Sequence, residues 1–288
     1  MIPTQLSPLR IRLILPSDLD IVEQMVLAGF GASPGRATEL NRLLSLQPDS
    51  WFLAERDGEP LGMGGEIFYD LFAYINMMIV FPHAQRQGIG SAIFEHLLRL
   101  VDQRRCPLAL LDATAMGEPL YRKHGFLEVD QARQYLCPHP PKTAHPHPGV
   151  YPVSYNQLRE VAEFDAPIFG ANRLKVFQAF LADFPDRLLA KRNAQGALTG
   201  YLFAQATRLG PWAALTPQDS ADLLEAAFAL SFDSHVDVIA PALNREAEAL
   251  LLSAGFHFER ALPHMVKGSS SVVRQRNLLY GQTSFALG

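Results

Sequence analysis

The alternation of apolar and polar residues predicts strands and helices in turn along the first half of the chain. LRIRLIL, residues 9–15, has the pattern of a strand, and residues 17–20 after it have the composition of a helix start. WFLAERDGEPLGMGGEIFYD, residues 51–70, predicts a hairpin that turns at Asp57-Gly58. The nearly all-apolar AYINMMIVF, residues 73–81, predicts a central strand that is covered on both faces.

Three further elements follow the central strand. Apolar residues at helical spacing predict a helix over residues 91–103, an extended apolar run predicts a strand over 108–113, and a second helix is predicted over 117–124. Gly125, directly after that helix, suits the left-handed position at which many helices end. This order of elements predicts an α/β fold in which helices flank a mixed central sheet.

A proline-rich segment, residues 138–152, divides the chain into two parts. Prolines with few apolar residues are typical of an extended linker, so residues 1–137 and 153–288 are predicted to form separate domains. The segment contains three histidines, His139, His145 and His147. We predict no metal site there, because no cysteine or carboxylate completes a closed set of ligands.

The second part of the chain repeats the pattern of the first. At an offset of 130 residues, Gly125-Phe126 falls on Gly255-Phe256 and Leu120 falls on Leu250. The apolar face of the first predicted helix is kept at the same offset, where Ile93, Phe94, Leu98 and Leu100 fall on Leu223, Leu224, Phe228 and Leu230. The sequence therefore predicts a tandem duplication of one α/β unit.

Composition and charge narrow the class of protein. Of 288 residues 48% are hydrophobic, which is enough for packed cores, and the net charge of −4 gives no general reason for binding nucleic acid or a membrane. Two cysteines, Cys106 and Cys137, are too few for a disulfide framework, and no apolar run has the length of a membrane span. Since the N-terminus also lacks the features of a signal peptide, we expect a cytoplasmic protein.

The stretch QRQGIG, residues 85–90, lies between the central strand and the next helix. Free amides at a helix N-terminus and the positive end of the helix dipole together form an anion site. Gly88 and Gly90 remove the Cβ atoms that would hold a pyrophosphate away from the backbone, and Gln85 and Arg86 add donors. The stretch lacks the lysine of a P-loop and the third glycine of the dinucleotide fingerprint; a tight turn without a ligand is the alternative.

Two segments resemble one known family, the GCN5-related N-acetyltransferases (GNATs). VFPHAQRQGIGSAIFEHLL resembles the family's motif A through Gln85, Gly88 and Gly90, and LLDATAMGEPLYRKHGFLEV resembles its motif B. The second part resembles, more loosely, the C-terminal domain of a tandem subgroup. This resemblance implies two copies of the GNAT fold, with acetyl-CoA as cosubstrate and no metal. The implied acetyl-CoA groove consists of Met78, Ile79, Val80, Gln85, Arg86, Gln87, Gly88, Ile89, Gly90, Ser91 and Thr114.

The same resemblance implies a direct attack of an amine on the thioester, with Tyr121 as the general acid that protonates the departing thiolate. A tyrosine with its reference pKa of about 10 stays protonated at neutral pH. The base stays open, because Glu66, Asp70, or a water held by Asn76 or Thr114 could take the proton of the amine. Asp70 is also a candidate for contact with the acceptor.

The second copy has lost this chemistry. At the offset of 130 residues the three loop residues fall on Leu215, Gln218 and Ser220, and Tyr121 falls on Leu251. Asp219 and Asp222 stand in the first turn of the corresponding helix, where they would repel a pyrophosphate. The second copy is therefore predicted to shape the acceptor site or to hold the domains together. Candidates for lining that site, with helix-start capping as the alternative, are Asp165, Phe169 and Arg173.

The sequence thus predicts an N-acetyltransferase that acts on a primary amine of a small molecule. The alternatives are a non-catalytic sensor that binds acyl-CoA, acetylation of a protein amine, and O-acylation of an alcohol. Loops such as residues 31–47 are predicted to determine acceptor specificity, and the chain is expected to be a monomer or a homodimer.

Overall fold

Both parts of the chain combine strands and helices, as the sequence predicts. The computed structural model describes residues 7–31, 37–142, 147–232, 234–269 and 274–288. The first part contains β1 (Arg10–Leu13), α1 (Leu19–Phe30), α2 (Ala37–Leu46), β2 (Trp51–Arg56), β3 (Glu59–Tyr69), β4 (Phe72–Val80), α3 (Ile89–Gln103), β5 (Leu108–Asp112), α4 (Glu118–Lys123) and β6 (Leu127–Cys137). The second part contains β7 (Val150–Pro152), α5 (Leu158–Phe169), α6 (Leu174–Asp183), β8 (Leu188–Arg192), β9 (Leu198–Ala204), β10 (Leu209–Ala214), α7 (Pro217–Ala227), β11 (Val236–Pro241), α8 (Arg245–Ser253), β12 (His257–Gly268) and β13 (Leu279–Gly281).

The local predictions agree with these bounds. β2 and β3 form the predicted hairpin, and Asp57 and Gly58 at its turn have φ angles of 53° and 80°, the positive values that a type I′ turn requires. The helix predicted over residues 91–103 begins slightly earlier, at Ile89, because Gly88 adopts a φ of 82° and serves as its N-cap. Residues 81–88 connect the end of the central strand β4 to the N-terminus of α3.

The segment predicted as a linker includes the first strand of a second sheet. Residues 150–152 form β7, which pairs antiparallel with β8 at the sheet edge. An edge position suits Pro152, because a strand with one neighbour does not need every N–H. Residues 143–146, which include His145, lie outside the described residues. The prediction of a loop over residues 31–47 is wrong for most of that range, because residues 37–46 form α2; residues 32–36 lie outside the described residues.

The order of the elements confirms the predicted duplication. α3, β5, α4 and β6 are matched in order by α7, β11, α8 and β12. The corresponding strands β6 and β12 begin at Leu127 and His257, which lie at the offset found in the sequence. The correspondence therefore extends from helix patterns to whole elements.

The two copies exchange strands instead of forming separate sheets. The larger sheet has the order β1-β2-β3-β4-β5-β12-β6-β11, so a strand of the second copy lies between β5 and β6 of the first. β12 is antiparallel to both neighbours, and Val266 is paired with Leu110 of β5 and with Leu127 of β6. The smaller sheet has the order β13-β10-β9-β8-β7. The predicted boundary at residues 138–152 therefore separates the two copies in sequence but does not separate the two sheets.

The strands β4 and β5 diverge beyond Tyr74. Their parallel pairing covers only Phe72–Tyr74 against Leu108–Leu110, whereas β3 stays paired with β4 as far as Val80. A bulge at Met77, with a φ of 52°, bends β4 away from β5. Among the described residues no strand pairs with residues 78–80 on the side facing β5, so this backbone edge lies open.

Helix α3 is anchored on the sheet beside this opening. Its residues Ile93, Phe94 and Leu97 are fully buried, and each such side chain stabilises the fold by about 1.5–3 kcal/mol. Gly64 of β3 provides the room they occupy, because a Cβ there would lie 2.7 Å from Ile93 Cγ2. The core thus holds the start of α3 against the open end of β4.

Candidate active site

The loop before α3 presents free backbone amides at the helix start. Gln85 Nε2 donates to the carbonyl oxygen of Val80 at 3.1 Å, which ties the loop to the end of β4. Gly88 is the N-cap, and no side chain caps the helix there. The first amides of α3 have no acceptor within the helix, so they are available to an anion, which the helix dipole also attracts.

The backbone requires a glycine at only one of the two glycine positions of QRQGIG. Gly88 is required by the backbone, since its φ of 82° lies in the left-handed region. Gly90 has no such requirement, and a Cβ built on it would have Val80 Cγ2 at 3.6 Å, an ordinary contact, as its nearest neighbour. The fold therefore leaves room for a side chain at residue 90, whereas the backbone angle at residue 88 disfavours one.

A groove of about 650 Å³ runs along the open edge of β4, the loop and the start of α3. Gln87 lies outside it, because its side chain bonds with Arg56 and with the carbonyl of His83. The other residues predicted to bind the cosubstrate all line the groove: Met78, Ile79, Val80, Gln85, Arg86, Gly88, Ile89, Gly90, Ser91 and Thr114.

A second cavity, of about 210 Å³, lies at the inner end of the groove between the diverging strands. The groove and this cavity share four lining residues, Phe30, Met78, Thr114 and Tyr121. The cavity wall is mixed in origin, because it includes residues of α1, α2, β4 and β5 from the first copy and of β12 and the last residues from the second. We call it the acceptor cavity below.

Tyr121 is held at the junction of the groove and the acceptor cavity. It lies on the short helix α4, is 7% exposed, and packs its ring against Phe94 with centroids 4.9 Å apart. Gly117 leaves room for that ring, since a Cβ there would lie 2.9 Å from the phenol oxygen. Burial raises the pKa of Tyr121 above its usual value, so the phenol keeps its proton at neutral pH. The protonated phenol therefore lines two connected spaces.

Asn76 and Thr114 line the acceptor cavity together with Tyr121. Asn76 Nδ2 donates to the carbonyl oxygens of Tyr74 at 3.1 Å and Ala286 at 2.8 Å. Its buried Oδ1 has no hydrogen-bond partner among the described residues and remains an available acceptor. The structure thus brings three of the sequence-predicted residues to one place.

Glu66 and Asp70 are not brought to this place. Glu66 is fully buried on the face of β3 that α3 covers, and neither of its carboxylate oxygens has a partner among the described residues. Burial raises its pKa to about 8, so at neutral pH it is mostly protonated and is a poor proton acceptor. Asp70 is exposed in the turn between β3 and β4. Neither residue lines the groove or the acceptor cavity.

Asp165, Phe169 and Arg173 form part of the protein core and do not line the acceptor cavity. Arg173 is 0% exposed and donates two hydrogen bonds to Asp165, at 2.7 and 2.9 Å. Its guanidinium lies 3.9 Å from the ring centroid of Phe169, and Tyr201 donates to Asp165 at 2.5 Å. Two of the residues predicted to bind an acceptor, Asp165 and Arg173, thus form a buried ion pair, and Phe169 packs against it.

A buried network that the sequence did not reveal fixes the end of β5 beside the acceptor cavity. The carboxylate of Asp112 has no exposed surface and accepts from Tyr74 at 2.7 Å and Gln282 at 3.0 Å. Nδ1 of His264 lies 2.7 Å from the same carboxylate. Burial first, and the positive charge of Arg276 second, lower the pKa of His264 to about 4, so it is neutral at pH 7. The network joins β4, β5, β12 and the last residues of the chain.

Sequence reasoning also missed the cavity residues that the second copy contributes. They are Arg208, Arg260, Leu262, Ser284, Phe285 and Ala286. The last three lie in a short segment without periodicity, and its contacts with distant residues such as Asn76 and Tyr69 bring it to the cavity. No pattern in the sequence marks such long-range contacts.

The second copy closes both features that are open in the first. Thr216 caps α7 by accepting the amide of Asp219, so the helix start is satisfied by its own side chain. β13 pairs with β10, and the amide of Gln282 donates to Ile239 of β11, so this segment fills the space that corresponds to the opening between β4 and β5. The second copy has neither a free helix start nor an open strand edge at these positions.

Two other kinds of site are absent from the described part of the chain. It contains no group of three or more His, Cys, Asp or Glu residues arranged to hold a metal ion. No helix within it has the length and apolar character needed to cross a membrane.

Comparison with known proteins agrees with this geometry. Two sequence models, each described as an acetyltransferase (GNAT) domain, match residues 47–128 and 161–281, which together make up more than half of the chain. The uncharacterized N-acetyltransferase YitH of Bacillus subtilis is 22% identical over 291 residues, covering 94% of this chain and all of that protein.

Solved structures show the same architecture. The crystal structure of a candidate acetyltransferase from Pyrococcus horikoshii has a TM-score of 0.88 and 26% identity, covering 100% of this chain and 99% of that one. A GCN5-related N-acetyltransferase from Sphaerobacter thermophilus has a TM-score of 0.68 and 16% identity over 94% of this chain and 99% of that one. Because sequence models, relatives and fold agree, the chain belongs to the GCN5-related N-acetyltransferase superfamily as a tandem member, and it is an acyltransferase.

Proposed function

We propose that this protein moves the acetyl group of acetyl-CoA to the primary amine of a small molecule, with Tyr121 as the general acid. The observation that carries the proposal is the position of Tyr121, which lines both the groove beside the free amides of α3 and the acceptor cavity. A cosubstrate held in the groove and an amine held in the cavity would therefore meet at its phenol.

The groove suits acetyl-CoA in two independent ways. The amides at the start of α3, with Gly88 and Gly90, match a pyrophosphate, and Arg86 adds a positive charge beside them. The open backbone edge of residues 78–80 can pair with the amide groups of a pantetheine arm as an added strand would. Tyr121 lines the same groove, so a thioester bound there would lie between the groove and the cavity.

The reaction needs one bond to form and one to break. The nitrogen of the neutral amine attacks the carbonyl carbon of the thioester, a C–N bond forms, and the C–S bond breaks. The phenol of Tyr121 gives its proton to the departing sulfur, which avoids an unstabilised thiolate. The proton that the amine loses leaves through a water held by Asn76 or Thr114, because Glu66 and Asp70 lie outside the cavity.

The size of the acceptor cavity supports a small acceptor. Its volume of about 210 Å³ and its walls from both copies suit a small molecule better than a protein segment. Thiol release from acetyl-CoA, measured with a panel of small primary amines, tests the proposed function. Amine-dependent release supports it, whereas acetyl-CoA binding without stimulation by any amine or alcohol favours a sensor, and alcohol-dependent release favours O-acylation.

Gly90→Ala separates ligand binding from folding. The free energy of unfolding should stay unchanged or rise by up to about 1 kcal/mol, because alanine is the better helix former and has room. The Kd for acetyl-CoA should rise about 10- to 100-fold, because a Cβ at residue 90 would hold the pyrophosphate away from the amides and remove one or two charge-assisted hydrogen bonds. Calorimetric titration and urea unfolding measure the two quantities.

Gly88→Ala is the contrasting variant. Because Gly88 has a φ of 82°, this change should cost about 1–2 kcal/mol of stability in the absence of ligand. A Gly90→Ala variant that binds acetyl-CoA as well as the unchanged protein would exclude the proposed position of the pyrophosphate.

The closed second copy predicts one acetyl-CoA per chain. Among the described residues of that copy, the cap on α7 and the segment beside β10 occupy the positions that form the groove in the first copy. Calorimetric titration of the unchanged protein should give a stoichiometry of about one, and a second independent site would show that the second copy binds the cosubstrate as well.

A further inference from the structure

Four charged residues line the acceptor cavity: Glu39, Asp112, Arg208 and Arg260. Two of them, Asp112 and Arg208, have hydrogen-bond partners within the protein. The carboxylate of Asp112 is enclosed by its hydrogen bonds and has no exposed surface. Arg208 donates two hydrogen bonds of 2.8 Å to Asp237, and Glu39 is a further carboxylate near it. The charge of Arg208 is therefore balanced within the protein.

Arg260 differs from these side chains because it is oriented but not neutralised. Its Nε donates to Gln134 Oε1 at 2.8 Å, and its guanidinium lies 5.2 Å from the ring centroid of Phe285. Gln134 is itself fixed by a hydrogen bond to Asp237. Among the described residues the two terminal nitrogens of Arg260 have no hydrogen-bond partner, so they are available to a ligand at the cavity mouth.

The remaining lining suggests what such a ligand looks like. About half of the cavity surface is apolar, and its apolar side chains include Val26, Phe30, Met77, Leu262 and Phe285. A guanidinium with two free donors pairs best with a carboxylate, which it binds in a planar, bidentate geometry. An acceptor that suits this cavity thus carries an amine, an anionic group and an apolar side chain.

We propose that the acceptor is a primary amine that also carries a carboxylate, as an apolar amino acid does, and that Arg260 binds this carboxylate. This inference rests on the proposed function, since it assigns the substrate class of the same cavity. Arg260 binds and orients the acceptor and exchanges no proton with the reacting atoms, so its contribution falls mainly on KM. The second copy thereby supplies specificity to the chemistry of the first.

The test compares amines that differ only in the carboxylate. Leucine and 3-methylbutylamine form one pair, and phenylalanine and 2-phenylethylamine form another. Arg260→Gln should lower kcat/KM for the two amino acids about 10- to 100-fold, mostly through KM, because one charge-assisted pair is lost. For the two decarboxylated amines kcat/KM should change less than about twofold. Comparing variant with unchanged protein for each substrate cancels the different basicity of the amines.

A conservative variant serves as the control for Arg260→Gln. Arg260→Lys should restore part of the activity with amino acids, because it keeps the charge but not the bidentate geometry. Acetylation of the decarboxylated amines alone, or an equal loss for both members of each pair in Arg260→Gln, would overturn the carboxylate assignment while leaving N-acetyltransfer intact. Preference for O-phosphoethanolamine over every amino acid would also overturn it. If acetyl-CoA binds but none of these amines, nor any in the wider panel, releases thiol, the proposed function fails and this inference with it.

Discussion

Replacing Tyr121 by phenylalanine is expected to lower kcat for amine acetylation by about 100- to 10,000-fold, the usual contribution of a positioned general acid. The Kd for acetyl-CoA should change less than about twofold, because the amides of α3 and the edge of β4 are untouched. The phenylalanine ring keeps the packing of Tyr121 on Phe94, so the loss arises from the missing proton donor. Thiol release and calorimetric titration on the same preparation measure the two effects.

Tyr151→Phe is a matched control for this variant. Tyr151 is 56% exposed on the edge strand β7, and its substitution should leave kcat and the free energy of unfolding unchanged. If Tyr121→Phe kept more than about half of kcat, the phenol would not be the acid of the rate-limiting step. Loss of acetyl-CoA binding together with activity would instead make Tyr121 a structural residue of the groove.

Asp165→Asn is expected to destabilise the protein by about 3–5 kcal/mol, because it leaves the positive charge of Arg173 buried without a counter-charge. Both side chains of this pair are 0% exposed, and Arg173 also donates to Thr283 at 3.0 Å. The substitution preserves the size of the side chain, so the cost is electrostatic. Urea unfolding of the purified protein measures the effect, and a reduced yield of soluble protein is expected to accompany it.

The same half of the chain offers a matched, exposed pair. Arg192 donates to both carboxylate oxygens of Glu160, at 2.7 and 2.6 Å, but the Glu160 side chain is 46% exposed. Glu160→Gln should therefore cost about 1 kcal/mol or less. Equal effects of Asp165→Asn and Glu160→Gln would show that water reaches Arg173, and its role as a core residue would have to be abandoned.

Features that depend on neighbouring residues in the sequence were predicted well. The Asp57-Gly58 turn, the start of α3 and the repeat at one offset follow from local rules about turns, caps and apolar spacing. The residues of the groove belong to two adjacent segments, and most of them line it as expected. Local sequence determines these features because their geometry requires few long-range contacts.

Features that depend on pairing between distant segments were not predictable. The insertion of β12 between β5 and β6 is decided by which strand edges meet, and the apolar pattern of β12 is compatible with either copy. Asp165 and Arg173 lie eight positions apart and suggested a polar site, whereas Tyr201 and Thr283 from other elements enclose them. Burial, which sequence spacing does not encode, changes such a pair from ligand-binding residues into core residues.

Dependence on distant segments also explains why the surroundings of Glu66 and Arg260 could not be predicted. Glu66 follows the alternation of β3, but only the position of α3 shows that its carboxylate lies beneath that helix. Arg260 is one of several charged residues in an exposed strand segment, and the cavity beside it exists only because both copies and the last residues meet there. The first copy alone would keep the groove, but the wall of its acceptor cavity would be different.

A crystal structure of the protein with acetyl-CoA tests the central claim most directly. It should contain one molecule per chain, with the pyrophosphate on the amides of Ile89 and Gly90 and the sulfur within about 3–3.5 Å of the Tyr121 hydroxyl. Acetyl-CoA bound beside α7 in the second copy, or bound in the first copy with its sulfur far from Tyr121, would contradict the assignment of groove and acid.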